Sequence, residues 1–126
     1  MSKYAAEHAS ALADIRDDGA AVRFVLDVPG AHDATTGRLA APTTVTVDGY
    51  ALQVKSLTRG DHRVYESLSL TPTEAPLLLF AAATYGDVPT LGAWCLWNGV
   101  RHIVRGFGDP VAPGGVPILS RVVVAR

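Results

Sequence analysis

Cys95 and His102 are the two residues of this chain whose types and placement most resemble a reactive pair. Both lie in WCLWNGVRHIV, residues 94–104, where Asn98-Gly99 separates two apolar runs. That dipeptide favours a type I′ turn because both residues tolerate positive φ. A two-residue turn sets Trp97 against Val100, Leu96 against Arg101, Cys95 against His102 and Trp94 against Ile103. A thiol beside an imidazole is the arrangement of an activated nucleophile, or of half a zinc site. Two ligands do not make a metal site, however. No second cysteine exists, and His8, His32 and His62 have no ligand spacing with the pair. The shared face, with Ala93, Trp97, Val100 and Val104, is apolar, so the expectation is a packed cysteine beside a hydrogen-bonded histidine.

Other candidates for chemistry are weaker. His62 and Glu66 share a helix face at the spacing of a solvated ion pair. Arg59-Gly60-Asp61 spells an integrin-binding tripeptide, which three residues produce often by chance, and reads as a surface turn. GFGDPVAPGG (106–115) lacks the full glycine pattern and following helix of a phosphate cradle. Asp14, Asp17 and Asp18 crowd a helix end without the downstream glutamate of a calcium loop. No serine sits in a nucleophile elbow and no acid pair brackets a cleft. The expectation is a protein that is not an enzyme and uses no metal or cofactor.

The elements that would position these residues belong to one domain. The 126 residues are enough for a single core. The chain is 48% hydrophobic and 18% charged, a balance of folded rather than disordered proteins. A net charge of −1 lacks the basic footprint of a dedicated nucleic-acid binder. A lone cysteine fits folding in a reducing compartment such as a cytoplasm, and no leader or membrane span is legible.

Residues 3–16 read as a helix, with Tyr4, His8, Ala11, Leu12 and Ile15 on one stripe, Ser2 as cap and Gly19 as stop. AVRFVLDV alternates as a half-buried strand with Val22, Phe24, Leu26 and Val28 on one face. Residues 29–42 form a long excursion rich in Pro, Gly and small polar residues. In TTVTVDGYALQVKS the apolar parity slips at Asp48-Gly49, which predicts a β-bulge there. Asp61 is placed to cap a short helix through HRVYESLSL. APLLLFAAA reads as a central strand, the hairpin follows, and a last strand lies in VPILSRVVVAR. The sum is a mainly β domain spanning 1–126. It has an N-terminal helix to residue 18, a small antiparallel barrel or sandwich of about six strands from residue 20, and one short additional helix.

Both hairpin faces are largely apolar, whereas an antiparallel hairpin at a surface usually wets one of them. The order of elements resembles the head-tail connector proteins of tailed bacteriophages, the head-closure or neck family. The likeness rests on the Ala-rich amphipathic N-terminus, VRFVLDVPGAHDATTGRLAAPTTVTVDGYALQVK, PLLLFAA, LGAWCLWNGVRHIVRGFGDPVAP and ILSRVVVAR. It implies a structural virion protein, made in the host cytoplasm, forming a six- or twelve-fold ring in the neck. Portal or adaptor protein would lie on one side and tail proteins on the other, with DNA passing through the channel and no sequence-specific binding. A ring subunit covers its second hairpin face with a neighbour. The resemblance therefore nominates Trp94, Leu96, Arg101 and Ile103, with Arg59 and Asp61, as subunit-interface residues. It nominates the loop residues His32, Asp33, Thr35, Thr36 and Arg38 as channel or partner contacts. A tail terminator or tail-completion protein is the neighbouring alternative. From another class, a barrel binding an apolar ligand would have a deep pocket lined by Trp94, Trp97 and Phe80.

Overall fold

The computed structural model describes residues 4–28, 30, 37, 38 and 41–126. Helix α1 (Ala5–Asp18) leads into β1 (Ala20–Val28) and β2 (Thr43–Gln53), followed by α2 (Arg59–Leu68) and β3 (Leu77–Ala82). The hairpin β4 (Trp94–Trp97) and β5 (Val100–Phe107), a 3₁₀ turn at Pro113–Gly115 and β6 (Ser120–Ala125) complete it. The strands close an antiparallel barrel in the order β1-β2-β3-β6-β5-β4, the β1–β4 seam being made at Val25 and Trp94. The expected mainly β barrel with an N-terminal helix and one short helix is the observed architecture. No helix among the described residues is long and apolar enough to cross a membrane.

Alternation fills the interior. Phe24, Leu78, Phe80, Cys95, Val104, Val122 and Val124 point inward and are buried, and Phe24 meets Phe80 edge-on at 5.1 Å. Trp97 belongs to this core while Trp94 faces outward, so these two tryptophans and Phe80 do not line one internal pocket.

The two helices clothe separate parts of the outside. α1 packs on β2 and β3; His8 is buried there, its Nε2 2.8 Å from the Ala82 carbonyl, with its ring against Tyr85. α2 and the segment after it cover a second apolar cluster on β3 and β6, including Tyr65, Ala75, Leu77, Val123 and Ala125.

Two local expectations are corrected. β2 pairs with β1 in unbroken register through Asp48 and Gly49, and with β3 from Gly49 to Gln53, so no bulge exists there. Its parity changes because both faces are covered. Val47, Gly49 and Ala51 face the interior, while Tyr50 and Leu52 lie half-buried on the outer face, where α1 packs. Gly49 is required by packing instead of by a bend: a Cβ there would lie 2.8 Å from the Phe80 ring and overlap the Ala81 carbonyl. The register shift occurs in β5 between Val104 and Gly106, where a Cβ on Gly106 would press on Leu68 and Val64 of α2. The cap of α2 is Thr58, not Asp61. Asp61 is the third helical residue, and the two reciprocate in a capping box: the Asp61 amide donates to Thr58 Oγ1 at 3.2 Å and the Thr58 amide donates to Asp61 Oδ2 at 2.8 Å.

Candidate subunit-contact face

The β4–β5 hairpin forms as its sequence dictates. Asn98 and Gly99 take φ of 52° and 77°, and the pairs are Trp97–Val100, Leu96–Arg101, Cys95–His102 and Trp94–Ile103. Strand alternation then sorts the side chains. Ala93, Cys95, Trp97, His102 and Val104 are buried, whereas Trp94, Leu96, Arg101, Ile103 and Arg105 look outward.

The inner set does not make a reactive centre. Cys95 is wholly enclosed, and burial pushes its thiol up to about 11, so it stays protonated at neutral pH. His102 is held by its Nδ1–H donating to the Val100 carbonyl at 2.8 Å. No group of three or more metal-ligating side chains occurs among the described residues. The indole N–H of Trp97 is buried without a hydrogen-bond partner.

Trp94, Leu96, Arg101 and Ile103 form a face on which neither helix packs among the described residues, while Arg105 lies at its edge beside Leu68 of α2. Leu96 is 58% exposed, Trp94 and Ile103 are half-buried, and the Arg101 guanidinium lies 4.5 Å above the Trp94 ring. The β1–β4 seam extends the face, because Ala21, Arg23 and Val25 alternate outward opposite the buried Val22 and Phe24. A groove of about 260 Å³ runs past Ala21, Arg23, Val25, Trp94 and Leu96. Arg23 is paired with Asp48, Nε donating to Oδ1 at 2.6 Å, which holds the guanidinium pKa above its ordinary value. Sequence reasoning missed Ala21, Arg23 and Val25. Their parity was legible, but which strand would seat beside β4 depends on barrel closure.

The other nominated residues separate. Arg59 is exposed at the start of α2, but Asp61 is fully buried. Arg121 Nε donates to Asp61 Oδ1 at 2.9 Å, and a second guanidinium nitrogen donates to Oδ2. Asp61 is thus a structural counter-ion and cannot act as a surface contact, and Arg59-Gly60-Asp61 opens a helix instead of forming a surface turn. Burial alone would raise its pKa, but the bonds from Arg121 and Thr58 outweigh that and hold it below the usual carboxylate value. His62 and Glu66 are both exposed. Of the loop set, Arg38 is exposed, and His32, Asp33, Thr35 and Thr36 lie outside the described residues. No family model, curated protein or solved structure matches the chain.

Proposed function

We propose that this chain is a structural virion subunit, forming a ring at the portal vertex that joins a phage head to its tail and helps retain packaged DNA. One observation carries the reading: among the described residues, no helix packs on β4, and α2 reaches only the far end of β5 at Gly106, so Trp94, Leu96 and Ile103 form an apolar outer face. A contiguous apolar face marks an interaction site more often than a solvated surface. Two further features support it. The hairpin's one thiol–imidazole pair is packed into the core, and a near-neutral chain lets DNA pass where a strongly basic wall would hold the phosphates.

The test is location. Mass spectrometry and electron microscopy of purified particles from the genome encoding this chain should find it at the head-tail junction. Removing the chain should leave filled heads that leak DNA or carry no tails. Absence of the protein from infectious particles overturns the reading.

A further inference from the structure

The β4–β5 centre of the face and helix α1 lie on opposite sides of the barrel, with β1 forming the edge of the face nearer to α1. In the closed order β1-β2-β3-β6-β5-β4, the strands β2 and β3 beneath α1 stand across from β5 and β4. Building on the ring reading above, we infer that the β1–β4–β5 face is covered by the outer surface of α1 from a second copy of this chain, head to tail.

Charge and shape select this occupant. The outer face carries Arg101 and, at its edge, Arg105, both exposed; among the described residues neither meets an Asp or Glu side chain, Arg101 stacking on Trp94 and Arg105 donating to the Arg126 oxygen at 3.5 Å. The exposed surface of α1 carries Ala6, Glu7, Ala9 and Ser10 in its first half and ends in Asp14, Asp17 and Asp18, against which Arg16 is the one cation. Those three carboxylates sit at the negative end of the helix dipole, where a carboxylate is unfavourable and a cation is favoured. A hairpin-to-hairpin contact would set Arg101 and Arg105 against their own copies. A contact of α1 with α1 would oppose carboxylates. Only the mixed contact is complementary, and a contact between unlike faces is heterologous, the kind that builds rings. Leu96, Trp94 and Ile103 against the alanines supply the burial; the charges fix orientation more than they add affinity.

Sedimentation velocity of the full chain at low ionic strength, up to millimolar concentration, tests the contact. Wild type should self-associate, and raised salt should weaken it. The hairpin variant, Arg101→Glu with Arg105→Glu, should lose self-association, as should the helix variant, Asp14→Lys with Asp17→Lys. The helix variant should melt like wild type and the hairpin variant within a few degrees of it, having lost the Trp94 stacking, and Arg105→Glu alone serves if the double variant does not fold. An equimolar mixture of the two variants should regain association, because every contact in an alternating array is again complementary. A hairpin-to-hairpin interface would leave the helix variant associating like wild type, and an α1-to-α1 interface would spare the hairpin variant. Either result overturns the inference, as does a mixture that stays monomeric or a wild type that never associates. None of these outcomes decides whether the chain resides in the neck, which particle composition answers separately.

Discussion

Two outer patches of this barrel have nearly the same chemistry and opposite fates. On β6 and the start of β3, Leu77, Val123 and Ala125 surround Arg121; on β4 and β5, Trp94, Leu96 and Ile103 surround Arg101. α2 covers the first patch and brings Asp61 into contact with the arginine. Among the described residues nothing covers the second, and its guanidinium rests on the Trp94 ring with no carboxylate partner. The α2 patch contains what the hairpin patch lacks: an apolar lid that also supplies an anion. The difference is the chemistry that an intermolecular cover for the hairpin face has to provide.

Breaking the covered patch should have the largest effect. Arg121→Ala leaves the Asp61 carboxylate buried without its cation, and loss of one partner from a buried pair costs about 3–5 kcal/mol. Urea unfolding should show the full loss; a cost under about 1 kcal/mol would mean that Asp61 is solvated or neutral. The same pair sets an acid dependence. Because the folded pKa of Asp61 is lowered, its stabilisation is complete above the ordinary carboxylate pKa and is lost as pH falls through the lowered folded value. Arg121→Ala should flatten that part of the stability curve between neutral and acid pH. An unchanged acid slope in the variant would assign the dependence to other carboxylates.

The next effect lies in the wall that both patches share. Gly49→Ala puts a methyl group against the Ala81 carbonyl and the Phe80 ring, so the barrel has to shift. Overpacking of this kind costs about 1–3 kcal/mol. A melting temperature equal to wild type would mean that β2 and β3 can separate at no cost, and that the interior is looser than its close contacts imply.

Gly49 also marks where the sequence misleads. Its apolar neighbours change parity, and a bulge is the simplest one-strand explanation of such a change. The actual cause is nonlocal: α1 covers the outer face of β2, so both parities are apolar. By contrast, Asn98-Gly99 determines its turn locally, and with it the division of the hairpin into inner and outer sets. Trp94, Leu96, Arg101 and Ile103 were therefore legible as one face, while Ala21, Arg23 and Val25 joined it only through the β1–β4 seam. Asp61 looks like a cap and a surface contact in the sequence because its partner, Arg121, is sixty positions away. The capping box itself, Thr58 to Asp61, was open to local reading and points to a helix start at Arg59.

The smallest effect on the isolated chain is expected at the uncovered patch. Leu96 is 58% exposed and so keeps much of its contact with water on folding. Leu96→Ser removes a side chain that the monomer barely uses, and surface substitutions of this kind stay within about 0.5 kcal/mol. Arg101→Ala gives up the stacking on Trp94, worth about 0.5–1 kcal/mol at an exposed site, and little else. If the face is an interface, both variants should nevertheless reduce self-association or incorporation into particles, while Leu96→Ser melts with the wild type and Arg101→Ala melts only a few degrees below it. That separation of stability from assembly is the measurement that matters. A Leu96→Ser chain that unfolds several degrees early would place the leucine in a monomer contact, and the difference between the two arginine-centred patches would then be one of degree, not of missing cover.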